Sequence, residues 1–269
     1  MFTGSTYLQV ATQTSPSGGG EDSAHQQIPH IKALGSEYVA PGVVTRLASL
    51  GPESVPYRLL GVVDGTTLTY DPAPPPNAPT SLQAGQVAEF ETTSIFVVRS
   101  QDDDHPFGLT HYMPGTPLGN SRDGCGPQKP FPGLTECDLG DEDWVNILAP
   151  KQFLQRYVFF TDPTYGTTNL VITRAKGANG FSEVSIDCLG GNVTGWQNVD
   201  GAGKYQVAYV DLVRGAQPIA QCTGSRHEAK SAGQFGVIVW GTDYFASYGY
   251  PAGGNAGSIN NVSVPPVPK

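Results

Sequence analysis

The residues best suited to chemistry lie in short acidic loops. Asp102-Asp103-Asp104-His105 sets three adjacent carboxylates beside an imidazole. Calcium takes many oxygen ligands in flexible geometry, so Asp102 and Asp104 are candidate calcium ligands. The spacing lacks the alternating acids and central glycine of a helix–loop–helix calcium loop, and alternate residues of an extended chain point to opposite sides. A second run, Asp138-Leu139-Gly140-Asp141-Glu142-Asp143, would add Asp141 and Asp143 if the two loops met. The competing reading of both runs is a solvated turn, the ordinary fate of a charge run. Calcium is the sole cofactor these residues suggest.

Trp196, in Gly195-Trp196-Gln197-Asn198, is the aromatic candidate. Beside amide side chains its ring suits stacking on a sugar or anchoring a protein partner. Buried, it would instead plug the edge of a sandwich. Trp196 with Asp102, Asp103, Asp104 and His105 forms the candidate ligand-binding set. His111, between Thr110 and Tyr112, reads as a core imidazole with no nucleophile or acid fixed nearby.

The chain shows no familiar catalytic motif. His227-Glu228 has Ser231 where a zinc-binding H-E-x-x-H needs its second histidine. Gly201-Ala202-Gly203-Lys204 is followed by Tyr205, not the Ser or Thr of a P-loop. A G-x-S-x-G nucleophile elbow is missing. No catalytic residue is assigned. The enzyme alternative is carbohydrate hydrolysis by two carboxylates about 5–10 Å apart.

The elements that would position these groups are strands. The chain has 269 residues, 34 Gly, 23 Pro and only 14% charged residues, which fits many short strands joined by tight turns. No stretch sustains the i, i+3, i+4, i+7 spacing of a long amphipathic helix. Asp64-Gly65 between Tyr57–Val63 and Thr66–Tyr70 is a hairpin signal. The pattern divides into an N-terminal extension (1–27), a first β-lobe (28–113), a Gly/Pro/Cys-rich connection (114–143), a second β-lobe (144–253) and a C-terminal linker (254–269). The lobes look like copies. Tyr57–Val63 corresponds to Asn169–Ala175, and Pro106-Phe107-Gly108-Leu109 to Gln234-Phe235-Gly236-Val237. The expected fold is all-β, two similar sandwich-like lobes related by an internal duplication.

A net charge of −9 without a Lys/Arg cluster argues against nucleic acid as a partner. No apolar run approaches the ~20 residues that cross a bilayer, so this segment is not expected to insert into a membrane. Met1-Phe2-Thr3-Gly4-Ser5 carries no secretion signal, so a secreted form is expected to be excised from a longer precursor. Cys125, Cys137, Cys188 and Cys222 form no C-x-x-C pair. Proximity pairs Cys125 with Cys137 and Cys188 with Cys222, which would place the protein in an oxidising compartment. Four separately buried thiols are the alternative.

Ile31-Lys32-Ala33-Leu34-Gly35-Ser36-Glu37-Tyr38-Val39, Asp64-Gly65-Thr66-Thr67-Leu68 and Leu82-Gln83-Ala84-Gly85-Gln86-Val87-Ala88-Glu89-Phe90 resemble the IgGFc-binding protein N-terminal domain family. Arg156–Pro163 and Ser247–Gly253 look like its bacterial, myxobacterial-like branch. The resemblance spans roughly residues 28–253. It implies a secreted or cell-surface, non-catalytic module for adhesion to a protein or glycan at a cell surface. It carries no ligand-contacting positions with it.

Overall fold

The computed structural model describes residues 2–16, 20–130, 132–133 and 136–263, and for residues 2–6 the backbone alone. Those residues form an all-antiparallel β structure with two single-turn helices, Ile31–Ala33 and Pro150–Gln152. The N-terminal extension makes a hairpin, β1 (Phe2–Leu8) with β2 (Asp22–Gln27). Lobe one supplies β3 (Glu37–Ala40), β4 (Val55–Gly61), β5 (Thr66–Asp71), β6 (Ser81–Leu82), β7 (Val87–Thr92), β8 (Phe96–Ser100) and β9 (Phe107–Met113). Next come β10 (Asp143–Asn146), β11 (Leu154–Phe160), β12 (Thr167–Ala175), β13 (Val184–Ile186) and β14 (Gln197–Asn198). The chain continues through β15 (Tyr205–Arg214), β16 (Gln217–Pro218), β17 (Arg226–Asp243) and β18 (Ala246–Pro251).

Lobe one is a sandwich of two four-stranded sheets, β10-β9-β4-β7 and β3-β8-β5-β6. In β4, alternation buries Val55, Tyr57 and Leu59 and leaves Arg58 and Leu60 partly open. Tyr57 meets Phe96 across the sandwich at 5.2 Å between ring centroids. The Asp64-Gly65 turn does not close the expected hairpin. It arches from β4 in one sheet to β5 in the other, because both strands carry apolar faces that pack against each other. Gly65, at φ 71, supplies the left-handed residue of this arch.

Lobe two is a single eight-stranded sheet built around β17 and β12. All but the last residue of β12 are buried, as a strand covered on both faces requires. Val171 joins Val207, Ile238 and Trp240 in the core shared with lobe one. Leu170 and Ile172 turn to the opposite face, with Ala208, Val237, Val239 and the buried Cys188 and Cys222. The lobes therefore share one core, and lobe two has a second core on its other face. Glu37 of β3 accepts hydrogen bonds from Lys204 Nζ at 2.7 Å and from the Tyr205 hydroxyl, and Tyr209 Oη donates to the Pro41 carbonyl at 2.6 Å.

Several features recur in both lobes. The order β10-β9-β4-β7 is matched by β18-β17-β12-β15, with the central strand first in sequence in each. Each lobe also opens on a one-turn helix followed by a tyrosine held in the same way. Tyr38 Oη accepts the Gly35 N–H at 2.8 Å and donates to the Phe107 carbonyl at 2.7 Å. Tyr157 Oη accepts the Leu154 N–H at 2.9 Å and donates to the Phe235 carbonyl at 2.5 Å. The Tyr–Phe rings sit edge-on, 4.9 Å apart, in both. The outer strands differ, since lobe one closes a second sheet and lobe two does not.

Both expected disulfides are present, Cys125–Cys137 and Cys188–Cys222. The extension at 1–27 is docked: Ser15 Oγ reaches the Gly115 and Thr116 carbonyls at 2.7 and 2.8 Å. The first part of the C-terminal linker is also docked, with Asn260 Nδ2 donating to the Ile31 carbonyl at 2.7 Å and the Leu34 carbonyl at 2.9 Å. The linker's last residues, 264–269, lie outside the described residues.

Candidate functional site

The candidate binding residues are spread over separate parts of the surface. Asp102–His105 form the turn from β8 to β9. Asp102 Oδ1 takes the His105 Nδ1 at 2.6 Å and the Asp104 N–H at 3.0 Å. The His105 contact heads the causes that hold the Asp102 carboxyl below its usual range. Asp103 accepts the Ser36 hydroxyl and the Lys151 ammonium, each at 2.5 Å, and Lys151 holds its carboxyl low in the same way. These acids are engaged in local bonds that fix the turn to the starts of both lobes.

Asp141 and Asp143 lie elsewhere, beneath the N-terminal hairpin. Asp141 is buried and accepts the Ser247 hydroxyl at 2.8 Å. Burial pushes its carboxyl up to about 6 and that of Asp143 up to about 7, with Asp22 adding like charge to both. Glu142 between them is buried too. Its Oε1 accepts the Val10 N–H at 3.1 Å, and its Oε2 has no hydrogen-bond partner among the described residues. Among the described residues, the one group of three ligand-bearing side chains within 4.8 Å of one another is Asp187, Cys188 and His227. Cys188 is in a disulfide, so that group offers no thiolate. Asp102, Asp104, Asp141 and Asp143 do not gather into such a cluster.

Trp196 is half-buried. Its Nε1 donates to the Val193 carbonyl at 2.9 Å, and the Arg174 guanidinium lies over its ring at 3.9 Å. Its indole thus caps the second lobe's core. His111 is fully buried between the Tyr57 and Trp240 rings, and burial pushes its imidazole down to about 3. A neutral imidazole is what a core position demands.

A roomy concavity is lined by none of these candidates. A cleft of about 760 Å³ opens between the lobes. Val43, Val44 and Ile95 wall it from lobe one, and Val199 and Tyr209 from lobe two. Thr93, Ser94, Gln197 and Asn198 add polar groups, and Arg122 and Asp211 supply its charges. Asp211 is the single carboxylate of the lining, so the cleft lacks the acid pair of a glycosidase. Arg122 escaped sequence reading because it stands alone in the Gly/Pro-rich connection, and Asp211 because it sits mid-strand. Only the fold brings them together.

The family model described as IgGFc binding protein matches residues 1–241. The chain belongs to the IgGFc-binding protein family. Membership of this family accounts for a match that runs through both lobes and includes the docked N-terminal hairpin. No curated protein matches the chain. Among solved structures, an anti-sigma factor domain-containing protein aligns over 80% of this chain and 81% of its own, at 13% identity and a TM-score of 0.20. That likeness is too low to bear on this family member's fold or function.

Proposed function

We propose that this domain is a secreted or cell-surface binding module that recognises a protein or glycan ligand without transforming it. The observation that carries the reading is family membership over residues 1–241, in a family described by what it binds. The two disulfides support an oxidising, extracellular setting. A rigid β scaffold that presents loops and a cleft between lobes suits recognition.

The test is capture. The oxidised domain, immobilised, is exposed to surface extracts of its source, to a glycan array and to immunoglobulin Fc, each with and without a calcium chelator. A retained, saturable partner is expected. Chelator-sensitive capture would restore a calcium role for Asp102, Asp104, Asp141 or Asp143. Turnover of a polysaccharide in a hydrolase screen would replace this reading with the enzyme one.

A further inference from the structure

The floor of the interlobe cleft carries more positive charge than its neighbours neutralise. Arg122 Nη2 stands 3.5 Å from Asp211 Oδ1, and its side chain is only 10% exposed. The other oxygen of Asp211 is held by the Arg214 guanidinium. Two guanidiniums thus share one carboxylate. Beyond that long 3.5 Å pair, Arg122 Nε and Nη2 and Asp211 Oδ1 have no other hydrogen-bond partner among the described residues. Glu53, the other acid acting on Arg122, is already committed to Arg46 at 2.8 Å. In a chain of net charge −9, Arg122, Arg214 and Asp211 together leave one positive charge in excess beside the cleft, where Arg122 and Asp211 line it and Arg214 stands behind Asp211. A buried guanidinium without full hydrogen bonding is costly unless an anion completes it.

The walls mix aliphatic and polar side chains, and the aliphatic ones lie on both lobes. Val43, Val44, Ile95 and Val199 line the cleft, and Leu50 stands at its rim, 65% exposed. Leu50 has φ 59, a left-handed conformation that costs an L-residue roughly 1–2 kcal/mol. Strain spent on holding an apolar side chain in water at a cleft mouth is a sign of a contact. Sugar rings favour open aromatic faces. Tyr209 is the one aromatic here, and its hydroxyl is tied to Pro41.

We infer that the interlobe cleft binds an acidic peptide segment of the partner, an aliphatic side chain lying against Val43, Val44, Ile95 and Leu50 and a neighbouring carboxylate reaching Arg122. This deepens the binding-module reading and rests on it. The cleft gives that module a specific entrance, and the charge at its floor selects what enters.

The probe is acetyl-Val-Glu-Val-Glu-Val-amide, titrated into the oxidised domain with isotope-labelled amides. Controls are the peptide with Gln for both Glu and a glucuronate-containing tetrasaccharide. The acidic peptide is expected to shift the amides of Leu50, Ile95 and Asn198. The Gln peptide should bind about tenfold or more weakly, the scale of one lost charge-assisted hydrogen bond. Arg122→Gln should weaken the acidic peptide about 10- to 100-fold, and Arg122→Lys less. Ser94→Trp, an exposed position at the mouth, should abolish binding without touching the floor. Equal binding of the Glu and Gln peptides, shifts elsewhere, no peptide binding, or tighter binding of the tetrasaccharide would overturn the proposal. If the Ser94→Trp domain still captures its native partner, the cleft proposal falls and the binding module stands. If the unaltered domain captures nothing from any source, the module reading itself falls.

Discussion

Replacing Tyr38 by Phe removes one oxygen atom and tests the tyrosine arrangement that recurs in both lobes. In the folded chain that oxygen accepts the Gly35 N–H and donates to the Phe107 carbonyl. Tyr38 is 1% exposed and Gly35 is buried, so water cannot take over for the lost acceptor. A buried donor left unpaired costs about 1–3 kcal/mol. The ring remains, so packing against Phe107 is kept. For a chain near this size each kcal/mol lowers Tm by roughly 2–4 °C, so a fall of about 2–12 °C is expected. Tyr157→Phe removes the equivalent oxygen, but Leu154 is only partly buried and its N–H can be hydrated, so its cost should sit at or below about 1 kcal/mol. The two tyrosines share no partner, and the double variant should show the sum of the single losses. Calorimetry and urea unfolding of the oxidised protein measure this. A Tyr38→Phe loss under about 0.5 kcal/mol, or a larger loss at Tyr157, would refute the reasoning from burial.

Arg46→Met should destabilise the domain by about 3–5 kcal/mol in urea unfolding, because Arg46 and Glu53 are both essentially unexposed and the change leaves Glu53 charged with the backbone N–H of position 46 but no cation. Changing Cys188 and Cys222 together to Ala should cost about 2–5 kcal/mol, since their bond closes a loop of 34 residues inside the second core. Asp141 is raised to about 6 in the fold against its ordinary value of 3.8, so its contribution is full below pH about 4 and lost as pH rises through 6. Asp141→Asn should therefore gain stability at pH 8 relative to pH 5, read by unfolding at both. His111 acts with the opposite sign: depressed to about 3, its contribution is full above 6.5 and lost as pH falls toward 3, so the His111→Gln variant should show a shallower acid limb.

The β class was legible because period-two alternation and Gly/Pro turns are local signals, as in β4 with its inward Val55, Tyr57 and Leu59. The cysteine pairs were legible because short loops close easily. The Asp64-Gly65 turn was misread for a related reason. A turn dipeptide fixes where the chain reverses, but not whether the flanking strands pair edge to edge or stack face to face. That choice belongs to the apolar faces: Tyr57 of β4 and Tyr70 of β5 both pack on Phe96 and Phe90, which only an arch between sheets allows. The repeated tyrosine arrangement was half visible, since Phe-Gly at 107–108 and 235–236 stood out while its hydrogen-bonded partners at 38 and 157 did not.

The candidate site was far less legible, and acidic residues show why. Polarity in a sequence suggests exposure, yet Asp141 is 4% and Glu142 is 1% exposed, because a hairpin more than a hundred residues earlier in the chain folds over them. Asp103 is partly open, but its oxygens are occupied by Ser36 and Lys151 from two distant segments. A carboxylate's availability depends on what else the fold brings to it, and that information is non-local. The same holds in reverse for Arg122. It stands alone in a loop with no motif around it, and becomes an under-bonded cation beside a cleft only when β15 delivers Asp211 and Arg214 together. The binding face of this family member is therefore to be sought where charges are left incompletely paired, not where the sequence concentrates them.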